Sequence, residues 1–354
     1  MEERRSSGGI GRARVGRGPD KITRGRRRAA PAPGKTGGGA IPCSLCGSEA
    51  VTFVRYSGMH LCASHFMAFV RRKVSRELRK QVRLPEGARV AVAVSGGKDS
   101  LAALHLLHEL LSPRRGTELF AITVDEGVRS YRPPALRIVA ESCRELGVEH
   151  HIITFKETFG LTLDSTRGLW GESTACTYCG VFRRYCMNRM ARELGADVLA
   201  TGLNLDDTAQ SILMNICRGD VERLVRLGPH ARVQPGLAPR IQPLRQVTDK
   251  ESYLYSILKG YRVHNRTCPY AGDAMRNRFR ELVTSLEAAS PGTRFCILSS
   301  HDALRRALEP LHPPAGLRPC ASCGEPSVGE LCEACRLINA LKARGKGQQE
   351  RGAR

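Results

Sequence analysis

Acidic residues are scarce in this sequence. Asp and Glu number 34 against 56 Lys and Arg, a formal net charge of +22 over 354 residues. An excess of this size points to a polyanionic partner, with RNA or DNA first. Long apolar runs are missing as well. None approaches the roughly 20 residues of a membrane helix, so an integral membrane protein is not expected. The first residues hold no apolar core of the secretory kind, and no amphipathic apolar face of the mitochondrial kind. Both common phosphate loops, G-x-x-x-x-G-K-[ST] and G-x-G-x-x-G, are absent too. Large apolar side chains are almost lacking before residue 39. Through Ala40 there are eleven Lys or Arg and three acids. Such a stretch cannot build a core, so residues 1–38 are expected to be a disordered basic tail, either an RNA arm or simply solvated.

What is present centres on Val90-Ala-Val-Ala-Val-Ser-Gly-Gly-Lys-Asp-Ser100. Val90 to Val94 reads as a strand buried on both faces. Leu101 to Leu111 reads as a helix packed on the sheet. The turn between them gathers unpaired backbone N–H groups at the positive end of a helix dipole, a natural anion site. Gly96 and Gly97 let backbone approach a phosphate. Lys98 adds charge; Ser95 and Ser100 add hydroxyls, and Asp99 completes the group.

Strand-like runs recur at 119–124, 150–155 and 198–201, separated by helical patterns such as 134–146. The alternation predicts a parallel sheet covered on both faces, with ligands at the carboxyl ends of its strands. Asp125 ends the second run, where an acid meets ribose or adenine or merely makes a turn. Thr201-Gly-Leu-Asn-Leu-Asp-Asp-Thr208 follows the fourth, bringing Gly202 to the nucleotide. Asp206 and Asp207 open a helix, as dipole partners or as Mg²⁺-binding groups.

The 14 cysteines fall largely into C-x-x-C pairs, which in a long chain favours metal in a reducing compartment. Cys43, Cys46, Cys62 and His65 make one closed Zn²⁺ set, with His60 at a poorer offset. Cys320, Cys323, Cys332 and Cys335 make another. Cys176-Thr-Tyr-Cys179 is ambiguous alone: a redox dithiol, half a zinc site or cluster ligands. Cys268 is its best third member, and three thiolates can hold an iron–sulfur cluster with one iron open. Cys143, Cys186, Cys217 and Cys296 are expected as buried packing residues. Basic helices are expected at 66–83 and from Ala274, where Arg276, Arg278 and Arg280 face RNA or solvent. The stretch 218–245, rich in Arg, Pro and Gly, offers no clear element.

The organisation expected is a basic tail (1–38), a zinc knuckle (39–68), a basic linker helix (69–86), a catalytic α/β domain (87–312), a zinc ribbon (317–340) and a basic tail (341–354). Ser95 to Ser100 resembles the S-G-G-x-D-S loop of the PP-loop ATPases. Together with the knuckle, the C-x-x-C plus distant cysteine, the N-x-D-D segment and the ribbon, the chain from about 40 to 340 resembles the TtcA/TtuA-type tRNA thiolases. That resemblance implies a PP-loop α/β fold and an enzyme that cleaves ATP between the α and β phosphates. It implies adenylation of the wobble uridine O2 in tRNAs for Lys, Glu and Gln, then its replacement by sulfur. It implies Asp207 as catalytic acid and a cluster on Cys176, Cys179 and Cys268, with a persulfide on one of them as the competing route. Arg183 stands where relatives can have Lys, keeping a cation with different geometry. The implied cofactors are ATP, Mg²⁺, two Zn²⁺ and the cluster. The implied partners are tRNA, cytoplasmic tRNA 2-thiolation protein 2 and a thiocarboxylated ubiquitin-related modifier as sulfur donor, in the cytoplasm. The competing readings are a non-catalytic zinc-ribbon tRNA adaptor, thiolation of an anticodon-loop cytidine, and an amidotransferase. The thiocytidine branch typically lacks the zinc modules, and no glutaminase portion is recognisable.

Overall fold

The computed structural model describes residues 41–230, 233–272 and 275–352. The expected basic tail at 1–38 lies outside them. A small hairpin comes first, β1 (Thr52–Val54) and β2 (Met59–Leu61), followed by α1 (Ala63–Gln81). Next come β3 (Arg89–Ala93), α2 (Lys98–Leu111), β4 (Glu118–Asp125), α3 (Arg132–Leu146), β5 (Glu149–Thr154), α4 (Phe155–Phe159) and α5 (Ala175–Glu193). The chain continues through β6 (Val198–Thr201), α6 (Leu205–Cys217), α7 (Val221–Val225), β7 (Arg240–Ile241), α8 (Asp249–Lys259), α9 (Arg276–Ala289) and α10 (Thr293–Leu308). A second small hairpin, β8 (Arg318–Pro319) and β9 (Pro326–Ser327), precedes α11 (Glu333–Gly352).

The five central strands form a parallel sheet in the order β5-β4-β3-β6-β7. Val90 pairs with Leu119 on one side and Val198 on the other. Alternation along β3 explains its continuous apolar run. Val90 and Val92 face a core shared with α1, α2, α3 and α8, while Ala91 packs with Phe120, Leu199 and Ala191 of α5 on the opposite face. The chain leaves β3 towards β4 and later returns to β6. The strand order therefore reverses between β3 and β6, and in folds of this kind ligands bind beyond the carboxyl ends of such strands. The Ser95–Ser100 turn and the 201–208 segment follow those ends.

Both cysteine modules share the apolar packing of the main body. Val54, Leu61, Cys62 and Phe66 belong to the core on the α2 side of the sheet. Cys320, Cys332, Ala334 and Leu341 pack on Tyr178, Phe182 and Cys186 of α5. No helix among the described residues is long and apolar enough to cross a membrane.

Some expectations need correction. Cys143 and Cys186 are buried, but Cys217 and Cys296 are exposed, because the last residue of α6 and that position of α10 face outward. The stretch 218–245 contains α7 and β7, whose two residues owe their pairing to the neighbouring edge strand. The expected basic tail at 341–354 is helical through Gly352, as the continuation of α11 that its Lys, Arg, Gln and Glu residues favour.

Candidate active site

The turn after β3 is shaped by two close approaches. Gly96 has φ +88°, and a Cβ there would lie 2.9 Å from the Ala135 carbonyl. Gly202 has no such φ, but a Cβ on it would lie 2.8 Å from the backbone N of Ser100. The exit of β6 therefore rests directly on the start of α2. Gly97 caps α2, whose first turn contains Lys98, Asp99 and Ser100. The Ser100 hydroxyl accepts from the Ser95 N–H at 3.0 Å and donates to the Gly97 carbonyl at 2.9 Å. It thus pins the turn from inside.

Lys98 does not float free. Its Nζ lies 2.7 Å from Asp99 and 2.5 Å from Asp249, the first residue of α8. Asn204 donates to Asp99 at 3.1 Å and to the same Asp249 oxygen at 3.4 Å. The Asp249 N–H in turn donates to Asp206 at 2.8 Å, and Asp206 pairs with Arg294 at 2.8 Å. Asp207 forms a capping box with Asn204 at the start of α6 and lies 3.4 Å from Arg276. Burial pushes the carboxyls of both Asp206 and Asp207 upward, while Arg294 and Arg276 oppose it. Asp125 accepts from the Gly127 N–H at 2.8 Å, a turn contact.

Cys176 and Cys179 sit in the first turn and a half of α5. Cys268 approaches from the segment after α8, near enough for its charge to act on Cys179 and for that of Cys176 to act on it. Cys176 Sγ lies 3.6 Å from the Tyr270 carbonyl. A cleft of about 630 Å³ opens there, lined by Cys176, Tyr270, Trp170 and Arg129 among others. Burial pushes the Cys179 thiol up to about 12, with Arg183 pulling the other way. Arg183 lies 3.7 Å from the buried Glu126.

The two outer cysteine sets have different geometry. In each, four donor atoms lie within 4.8 Å of one another. The Cys46–Cys62 and Cys323–Cys332 sulfurs are 3.8 and 3.7 Å apart. A tetrahedral Zn²⁺ with 2.3 Å arms sets its thiolates about 3.8 Å apart, so both sets fit zinc. Bonds from Ser64 and the His65 backbone draw the Cys62 thiol down to about 7. His60 is not in the set; it stacks on Phe53. Cys176, Cys179 and Cys268 do not form such a tight group among the described residues.

Three contributors escaped the sequence reading: Asp249 beside Lys98, the Glu126–Arg132 pair, and Arg294. Thr248-Asp-Lys-Glu251 does spell a capping box. That signal marks the start of α8, not its contact with Lys98.

A glycine turn between a parallel strand and a helix at the switch point of the sheet, with Asn204, Asp206 and Asp207 packed beside it, is the arrangement of a PP-loop enzyme. The PP-loop domain model matches residues 70–286, and the model of the 2-thiouridine synthetase TtuA N-terminal LIM domain matches 43–67. The tRNA 2-thiolation protein NcsA of Haloferax volcanii is 36% identical over 86% of this chain and 100% of the relative. Cytoplasmic tRNA 2-thiolation protein 1 of Mus musculus is 38% identical over 83% of this chain and 72% of the relative. A solved structure, the U34-tRNA thiolase NcsA from Methanococcus maripaludis with its [4Fe-4S] cluster, superposes with a TM-score of 0.70 at 33% identity. It covers 75% of this chain and 89% of that one. The chain belongs to the PP-loop family of tRNA 2-thiolation proteins and sulfurtransferases.

Proposed function

We propose that this protein uses ATP to replace O2 of the wobble uridine of tRNA with sulfur. The observation that carries the reading is that the anion-binding turn and the three-cysteine site are physically joined. The His264 N–H donates to the Gly96 carbonyl at 2.8 Å, four residues before Cys268. A uridine C2 carbonyl has no leaving group. Attack of O2 on the α phosphorus forms a P–O bond and breaks the bond to the β phosphate, expelling pyrophosphate. The N–H groups of the Gly96–Lys98 turn, the Lys98 ammonium and the Ser95 hydroxyl would bind the departing charge, with Ser100 holding the turn in shape. Asp99 and Asp249 hold Lys98 in place beforehand. Sulfur then bonds to C2, the C2–O2 bond breaks, and AMP leaves with its oxygen. Asp207, whose carboxyl burial pushes up while Arg276 opposes it, is suited to manage a proton there, and with Asp206 it would bind Mg²⁺.

Cys176, Cys179 and Cys268 would hold an iron–sulfur cluster of the kind found in the Methanococcus maripaludis protein, and such a cluster, when bound, can offer an open iron to sulfide. Thiols as reluctant to ionise as Cys179 give up the proton to a metal more readily than to water. The outer sets would hold structural Zn²⁺. The sulfur donor proposed is the thiocarboxylate of a ubiquitin-related modifier, with cytoplasmic tRNA 2-thiolation protein 2 as partner, in the cytoplasm.

The test uses protein purified without oxygen, ATP and unmodified tRNA. AMP and pyrophosphate are followed beside 2-thiouridine, mapped by position. Wild type is expected to yield both, with sulfur at the wobble base; Cys268→Ala is expected to yield AMP without 2-thiouridine. A protein that binds tRNA but forms no AMP with partner and donor present is an adaptor. Sulfur at position 54, the site named for a Thermus thermophilus relative 34% identical to this chain, would overturn the choice of base.

A further inference from the structure

The donors of the turn are aimed by groups outside its motif. In a trans peptide the C=O and N–H point in opposite directions. The Ser95 carbonyl accepts from Arg132 Nη1 at 2.9 Å, so the Gly96 N–H on the same peptide points away from Arg132. The Gly96 carbonyl accepts from the His264 N–H, so the Gly97 N–H points away from His264. Two successive peptides are therefore anchored by their oxygens, and the Gly97 N–H makes only a long contact to the Ser95 hydroxyl, at 3.5 Å, which an anion could displace.

Arg132 occupies an unfavourable place. Its side chain is 4% exposed, and it opens α3, where the helix dipole disfavours a cation. Compensation comes from the Val124 carbonyl, to which Nη2 donates, and from Glu126, whose Oε2 lies 3.0 Å from Nε. The other Glu126 oxygen faces Arg183. Arg183 stands one turn after Cys179 on α5. A buried pair of this kind seldom stabilises more than apolar side chains of the same volume would. What it supplies here is position. Ser95, Arg132, Glu126 and Arg183 make one connected line from the phosphate turn to the cysteine helix.

We propose that Arg132 and Glu126 are positioning residues that hold the phosphate turn in register with the cysteine site, so that adenylation and sulfur delivery are coupled through them. The proposal rests on the adenylation reading above and deepens it.

The experiment compares full-length wild type with Arg132→Lys and Glu126→Gln. Binding of inorganic pyrophosphate is measured by calorimetry, AMP formation gives kcat and KM for ATP, and 2-thiouridine is counted per AMP. Lys keeps the charge but loses the planar fork that serves Ser95, Val124 and Glu126 together. Arg132→Lys is expected to bind pyrophosphate about tenfold more weakly. Its kcat for AMP formation should fall about ten- to hundredfold, less than the loss from deleting an oxyanion donor outright. KM should move less than kcat, with zinc content and unfolding midpoint near wild type. Glu126→Gln is expected to make fewer 2-thiouridines per AMP than wild type. Variants with lowered unfolding midpoints but wild-type kcat, pyrophosphate affinity and coupling ratio would reduce the pair to a structural role and overturn the proposal. If Arg132→Lys does not fold, the coupling ratio of Glu126→Gln decides. If wild type makes no AMP, the adenylation reading fails on its own, and pyrophosphate binding still decides whether Arg132 aims the turn.

Discussion

Replacing Glu251 with Ala should loosen the first cysteine module from the phosphate turn, by an amount that can be worked out from its contacts. The Glu251 side chain is 6% exposed. It accepts from Lys73 Nζ at 2.7 Å, from the Tyr56 hydroxyl, and from the Thr248 N–H at 2.8 Å. Tyr56 comes from the hairpin turn after β1 and Lys73 from α1, so one carboxylate ties that module to the start of α8. Its loss leaves an ammonium only 12% exposed with no counter-ion. Breaking a buried pair costs about 3–5 kcal/mol, and losing the Glu251 half of the capping box, its bond from the Thr248 N–H, adds about 1 kcal/mol. The rings of Tyr56, Phe295 and Phe69, each 5.0 to 5.2 Å from Nζ, retain part of that, about 1–2 kcal/mol. The net expectation is a loss of about 2–5 kcal/mol. Urea unfolding with zinc present is the assay. The double variant Glu251→Ala with Lys73→Met should be more stable than Glu251→Ala alone, because the stranded charge is gone. A single-variant loss below about 1 kcal/mol, typical of an exposed pair, or a double variant worse than the sum of its parts, would refute the reasoning.

Gly202→Ala should cost about 1–3 kcal/mol and depress AMP formation, since its methyl group would meet the backbone of Ser100; preserved turnover would show that the segment shifts freely. Metal analysis should find two Zn²⁺ per chain, falling to one in either Cys46→Ser or Cys323→Ser; an unchanged count in either would remove that set from the zinc ligands. Acid should destabilise the protein partly through Asp302. Burial pushes its carboxyl up, but bonds to His301 and Arg245 outweigh this and hold it well below the usual carboxylate range. Its contribution is therefore complete above the unfolded pKa of about 3.9 and is lost as the pH falls from there towards the folded value. Asp302→Asn should flatten the acid limb of an unfolding-versus-pH curve, and an unaltered limb would contradict it.

The β3-turn-α2 unit was legible because everything that defines it is local: a short two-sided apolar strand, glycines, then hydroxyls at a helix start. The zinc sets were legible for the same reason, each pair being two residues apart. What could not be read were contacts made across the chain. Lys98 and Asp249 are 151 positions apart, and neither carries a pattern pointing to the other. Arg132 resembles any arginine before a proline until the fold brings Ser95 and Glu126 around it. β7 has too few residues for periodicity, and its existence is decided by the open edge of β6. Cys217 and Cys296 were misjudged because helical context says nothing about which way a single residue on that helix will face.

The second cysteine module has a bearing on the order in which the protein is completed. Its cysteines and Leu341 cover Tyr178 and Phe182 on the helix that carries Cys176 and Cys179. Arg344 reaches the Tyr178 hydroxyl at 2.9 Å and the Leu169 carbonyl at 3.0 Å, and Glu325 pairs with Arg192 further along α5 at 3.1 Å. On the ribosome, α5 emerges long before these residues do. The sheet and the turn after β3 can assemble while the outer apolar side of α5 is still bare, so that helix is covered last. A nascent chain halted before Cys320 should thus present a formed nucleotide turn next to an uncovered, cysteine-bearing helix, the form most open to oxidation and aggregation.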